Sequence, residues 1–184
     1  MRGVVLAVAL AIVVAGPVAA DPNAPGTYGD AMRWYQAAAE AGQPRAQFLL
    51  GYMYEVGERT PEDPALARAW YARAAAQGEA HAEYRLARLF HQGRGGDADL
   101  AEAARLYGAA AGRGHAAAQS MLGYLYAAGD GVERDDVRAF LWLTLAAKAG
   151  DAEAAGNLNR LAGELTPEQR EAGKALVESW SPER

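Results

Sequence analysis

The chain has 184 residues, a net charge of −5, three histidines and no cysteine. An acidic chain of this kind carries no electrostatic footprint for nucleic acid and no basic run for an anionic lipid surface. With no cysteine to form disulfides, stability has to come from packing alone.

The first element is not a folded one. In MRGVVLAVALAIVVAGPVAA, Arg2 precedes an uncharged apolar run from Val4 to Ala15, then Gly16-Pro17 and small residues ending at Ala20. This order predicts a secretory signal peptide over residues 1–20, cleaved before Asp21. The apolar core is about a dozen residues, short of the ~20 that span a bilayer. No cysteine follows that could take a lipid. The expectation is an exported chain, periplasmic or secreted, with no membrane anchor after cleavage. Residues 21–27 read as a loop.

From residue 28 onward the chain reads as one domain with an internal period. Gly42, Gly78, Gly114 and Gly150 recur at 36 residues. Trp34, Trp70 and Trp142 share a register with Leu106, and Tyr35, Tyr71 and Tyr107 follow one position later. Ala46, Ala82, Ala118 and Ala154 align without gaps, as do Leu50, Leu86, Leu122 and Leu158. Self-similarity at such a period is the signature of a stacked repeat.

Each unit predicts two helices. In the A helix Ala46, Leu50, Met53 and Tyr54 lie on one helical face. Gly57, Gly93 and Gly129 are placed to end it. Asp63, Asp99 and Asp135 stand where an N-cap or first-turn acid opens the B helix. Paired alanines in the B helices allow close approach. The predicted order is a lone B-type helix at 28–42 and repeats at about 44–78, 80–114 and 116–150. A final helix pair follows over 151–181. In its second helix Thr166, Pro167 and Gln169 predict a capping box. Leu176, Val177 and Trp180 are expected to cover the end of the stack. The RGG at 94–96 reads as a flexible turn.

These residues resemble the Sel-one-like repeat (SLR) family of tetratricopeptide-like helical proteins. AQSMLGYLYAAGDGVERDDVRAFLWLTLAAKAG at 118–150 carries the resemblance most fully, and AQFLLGYMYEVGE with ARAWYARAAAQG follows it closely. The fold so implied is all-α, a right-handed superhelical solenoid of antiparallel helix pairs with a C-terminal capping helix. The chain departs from the pattern at ERTPEDP, which implies a remodelled first turn. It departs again at RLYGAAAG, which implies looser packing in the middle unit. The cysteine pairs of some secreted members are absent, so activities proposed for those members do not carry over.

The sequence holds little chemistry. His81 and His91 are nearly three turns apart on one predicted helix, and His115 falls in a turn, so no metal-ligand set forms. No nucleophile elbow occurs. Asp135-Asp136 is explained by the helix dipole, and DGVERDD lacks the ligand spacing of a calcium loop. The expectation is a non-enzymatic chain with no catalytic residues, no cofactor and no metal.

What remains is a surface. In the family arrangement the A helices line a concave groove. That places Arg45, Phe48, Tyr52, Glu55, His81, Tyr84, Arg88, His91 and Tyr124 toward a partner, in columns that repeat every 36 residues. Aromatics and arginine are the types enriched at interface hot spots. The same strip can instead be packing between repeats, and both readings stand. The expected function is a scaffold or adaptor in the cell envelope that binds a protein or peptide through the groove. The alternatives are a module binding peptidoglycan or exopolysaccharide, and a hydrolase.

Overall fold

The computed structural model describes residues 28–57 and 60–182. The expected signal peptide, the loop at 21–27 and the centre of the first turn, Glu58 and Arg59, lie outside them. The chain divides into two units, Met1–Trp34 and Tyr35–Arg184. Of the first, only the opening of a helix is described. All that follows concerns the second.

Among the described residues there are helices and no strands. They are α1 (Tyr28–Glu40), α2 (Pro44–Val56), α3 (Pro64–Ala75), α4 (Ala80–Gln92), α5 (Leu100–Gly112), α6 (Ala116–Ala128), α7 (Asp136–Lys148), α8 (Ala152–Glu164) and α9 (Pro167–Ser179). Helices α2, α4, α6 and α8 are the A helices; α3, α5 and α7 are the B helices. Each A helix from α2 to α6 packs on the B helix after it, and each B helix packs on the next A helix.

The caps fall where the sequence puts them. Asp63, Asp99 and Asp135 each accept the backbone N–H three residues on, from Leu66, Glu102 and Arg138, at 2.9 Å. These bonds satisfy amides that the first turn leaves without partners. Gly57, Gly93 and Gly129 close the A helices in the left-handed conformation. Thr166 and Gln169 form the capping box of α9.

The core runs along the A/B contacts. Ala67, Tyr71 and Ala74 of α3 are fully buried, as are Ala103, Ala110 and Ala111 of α5 and Ala139 and Ala146 of α7. Small residues bring these helices close, so that one aromatic or leucine fills each junction. A Cβ on Gly51 would lie 2.7 Å from the Tyr71 ring, and one on Gly123 would lie 2.7 Å from Leu143. The middle unit is not looser, as its missing tryptophan implied. Leu106 and Tyr107 are 3% and 1% exposed, and Ala87, in the same core, is itself completely buried.

A polar column, unread in the sequence, joins successive helices. Gln47 donates to the Ala39 carbonyl at 3.0 Å, and Gln119 donates to Ala111 at 3.2 Å. Each glutamine ties an A helix to the B-type helix before it. Between them the same register position holds Glu83, which pairs instead with Arg113, just past the end of the following B helix, at 3.6 Å. All three side chains are buried. A buried polar group has to be paired in this way, or its desolvation goes uncompensated.

The RGG turn is pinned, not flexible. Arg68 donates to the Leu89 carbonyl at 2.8 Å and to the Asp97 carbonyl at 3.1 Å. Arg94 bonds Glu62 at 2.6 Å. Gly95 has φ +78, and a Cβ there would fall 2.5 Å from the Pro64 carbonyl. Gly131, one repeat on, lies against Leu100 in the same manner. In both units the turn thus sits on the start of the preceding B helix, and only a residue without a side chain fits between them.

Helix α9 takes the place of a fourth B helix but covers the stack differently from the expectation. Leu176 stays exposed and Val177 is half-buried. The contact runs instead through Gly173, where a Cβ would lie 2.6 Å from the Phe140 ring. Trp180 completes it by meeting Trp142 edge-on, with centroids 6.5 Å apart.

Candidate functional site

The residues expected to face a groove do not share one fate. Glu55 is a correction, because it is 4% exposed and turned into the A/B junction. Its carboxylate accepts the Tyr71 hydroxyl at 2.7 Å and lies 3.3 Å from Arg85 and 3.8 Å from Arg94. Burial, then the hydrogen bond to Glu55, holds the Tyr71 phenol far above its ordinary range. Glu55 therefore serves the fold. The same junction is built differently along the chain. One repeat on, His91 meets Tyr107 edge-on at 6.3 Å, and in the third repeat the positions hold Ala127 and Leu143.

Phe48, His81 and Tyr84 form a ring ladder across repeats. Phe48 lies 5.8 Å from Tyr71 and 5.8 Å from His81. His81 lies 5.0 Å from His115, which stacks on Tyr84 at 4.6 Å. Stacking, which the spacing of His81 and His91 along one helix does not show, brings His115 of the next repeat to His81, with Nε2 of His115 3.2 Å from Nδ1 of His81. Among the described residues no cluster of three or more metal-ligating side chains occurs.

His115 also caps α6, its Nδ1 accepting the Ala118 N–H at 3.3 Å. That bond puts the ring proton on Nε2, which then donates to His81. Protonating His115 would set a second proton against the Ala118 N–H and release the cap. Burial, then the neighbouring His81, pushes the imidazole down from 6.5 to about 4. Between those values the unfolded chain binds more protons than the folded one, so stability falls as pH drops from 6.5 toward 4. The ring is partly open to water, which screens the effect to about 1 kcal/mol. His115→Asn keeps a capping side chain without the titration. Urea unfolding at pH 7 and pH 4.5 should show a smaller loss for the variant than for the parent. Equal losses would contradict this role.

His81 is exposed and Phe48 and Tyr84 are half-buried, and the other positions stay accessible as well. Tyr52 is half-buried, with the Arg85 guanidinium 5.0 Å from its ring centroid. Arg88 is half-buried and stands 5.9 Å from the Tyr84 ring. Arg45 is exposed and Tyr124 is 44% exposed. The column of Tyr52, Arg88 and Tyr124 has a fourth member that the sequence reading left out, Arg160 of α8. Tyr124 and Arg160 line one cavity of about 210 Å³ with Ala127, Ala128, Asn157 and Glu164. The missed residue was legible, since Arg160 falls one period after Tyr124. The last A helix lacks the aromatic signature that drew attention to the others. A second cavity, of about 260 Å³, lies on the B-helix side. Its charged walls are engaged with each other and with the fold, through Glu102–Arg105 and Glu83–Arg113.

The A-helix face carries two kinds of arginine. Arg85 and Arg94 are committed to carboxylates. Among the described residues Arg45, Arg88 and Arg160 have none, and Arg160 reaches only the Asn157 side-chain oxygen, at 2.8 Å.

The sequence matches the Sel1 repeat model over residues 28–43, 44–79, 80–115 and 116–151. The chain belongs to the Sel1 repeat family. Sel1 repeat proteins generally mediate protein–protein interactions. Among solved structures this Sel1 repeat chain is similar to c5321, described as a protective antigen present in uropathogenic Escherichia coli strains and displaying an SLR fold. Identity is 33% and the TM-score 0.74, over 84% of this chain and 33% of that one. A Sel1 repeat protein from Oxalobacter formigenes is 33% identical, with a TM-score of 0.67 over 71% of this chain and 54% of that one. Helicobacter pylori cysteine rich protein B shares the fold at 21% identity and a TM-score of 0.55, over 72% of this chain and 98% of that one. The chain thus spans about a third of the length of c5321 and about half of the Oxalobacter protein. No curated protein matches the sequence. Among the described residues no helix is long and apolar enough to cross a membrane.

Proposed function

We propose that the protein is an exported, non-enzymatic scaffold that holds an extended peptide or a partner's helix against its A-helix face. The observation that carries this reading is the column Tyr52, Arg88, Tyr124 and Arg160. It alternates aromatic and guanidinium groups, one per repeat, and leaves them half-buried or exposed. A core seldom spends arginine between tyrosines, whereas interfaces favour both types. The binding surface is held by contacts between repeats, with Glu55 buried beneath it and Phe48, His81 and His115 joined by ring contacts, so little ordering is lost on the protein's side. Trp70, Trp142 and Trp180 do not favour a sugar-stacking module, since Trp70 is buried and Trp142 is packed on Trp180, and this leaves Trp34 as an exposed tryptophan.

Arg88→Ala combined with Tyr124→Ala is expected to abolish recovery of a binding partner from cell-envelope extract while leaving the circular dichroism spectrum and the melting curve unchanged. Recovery of the same partner by the double variant would show that this column is not the binding face.

A further inference from the structure

From the charges on this face, and resting on the peptide-groove reading above, we infer that the occupant is an acidic extended segment. Its carboxylates would meet Arg88 and Arg160, and its apolar side chains would meet Tyr52 and Tyr124.

Arg88 is the central cation of the column. Its guanidinium is half-buried and stands beside the Tyr84 ring, at 5.9 Å, with no carboxylate paired to it among the described residues. Removing a cation partly from water without a counter-ion is unfavourable, and a ligand carboxylate restores the balance. Arg160 stands in the same column two units on. It is exposed at the rim of the Tyr124 cavity and is held toward it by Asn157 at 2.8 Å. Arg45 adds a third cation, without a carboxylate partner among the described residues, at the other end of the strip.

The acid nearest Arg88 in these columns does not cancel it. Glu55 is buried among Tyr71, Arg85 and Arg94. Glu164 lines the cavity beside Arg160 and shares the exposed rim with Arg134, 4.0 Å away. Glu153 sits in the first turn of α8, two helical turns before Arg160. A chain with net charge −5 thus presents uncommitted guanidinium groups along the face where tyrosines alternate with them. Guanidinium groups bind carboxylates through paired, charge-assisted hydrogen bonds, and tyrosine rings supply apolar contact between them.

The spacing follows from the repeat. Packed helices stand about 10 Å apart, and an extended chain rises about 3.3 Å per residue, so successive groups of the column meet every third ligand residue or so. A segment reading acid, two spacers, aromatic, two spacers, acid fits Arg88, Tyr124 and Arg160 in turn.

The probe is a fluorescein-labelled peptide of two Glu-Ser-Ser-Phe-Ser-Ser units, titrated with the purified protein by fluorescence anisotropy. Its counterpart has Gln in place of Glu. The Glu peptide should bind at least about tenfold more tightly than the Gln peptide, the advantage of two charge-assisted contacts partly screened by solvent. In Arg88→Gln with Arg160→Gln, that advantage should shrink below about twofold. Polygalacturonate at equal carboxylate concentration should fail to displace the peptide. Equal affinity for the two peptides would overturn the acidic inference but leave a peptide groove, provided Tyr124→Ala weakens both. No saturable binding of the Glu peptide would overturn the inference as well, and so would displacement by polygalacturonate, which would mark a site for polyanions at large.

Discussion

Gly131→Ala is expected to destabilise the protein by about 3 kcal/mol, although it adds a single methyl group. Two costs combine. Gly131 has φ +71, where a residue with a Cβ is strained by about 1–2 kcal/mol. The new Cβ would also press on the carbonyl of Leu100, at the start of α5, which is backbone and cannot swing away. Gly156→Ala is the control. Gly156 lies inside α8, and a Cβ added there would meet nothing within 4 Å, so alanine should stabilise by about 0.5–1 kcal/mol through helix propensity. Urea unfolding of the two variants checks both signs. A Gly131→Ala variant as stable as the parent would mean that the turn does not rest on α5.

Glu55→Ala carries the second large effect, an expected loss of about 2–3 kcal/mol. Removing the carboxylate strands the fully buried Tyr71 hydroxyl and deprives Arg85 and Arg94 of their shared acid. The third repeat shows how the junction closes without charge, using Ala127 and Leu143. Adding Tyr71→Leu to Glu55→Ala copies that arrangement and removes the stranded hydroxyl. The double variant should therefore lose less than the two single losses added together, by about 1 kcal/mol or more. Strict additivity, measured by denaturant unfolding of all four proteins, would show that Glu55 and Tyr71 act independently.

These two sites mark where the sequence spoke and where it did not. The period of 36 residues was enough to place the helices, because caps such as Asp99 and stops such as Gly93 are local and carry their own signals. Glu55 was misread because its column looks like surface: an acid, a histidine and an alanine in register. Only the stacked structure brings Tyr71 and two arginines around it. The meeting of His81 with His115 was hidden for the same reason. Two residues 34 apart approach only when one repeat is laid on the next. The turn at 94–96 looked loose because glycine signals freedom; here glycine is required by a neighbouring backbone. Arg160 was hidden by its plain surroundings, although the period pointed to it.

The central claim is that partners bind across the Tyr52–Arg88–Tyr124–Arg160 column. The direct measurement places a photo-crosslinking amino acid at position 124 and, in a second protein, at position 176 on the exposed face of α9, with both exposed to the same envelope extract. The account predicts a discrete covalent adduct from position 124, suppressed by Arg88→Ala, and none from position 176. Adducts from position 176 alone would contradict it.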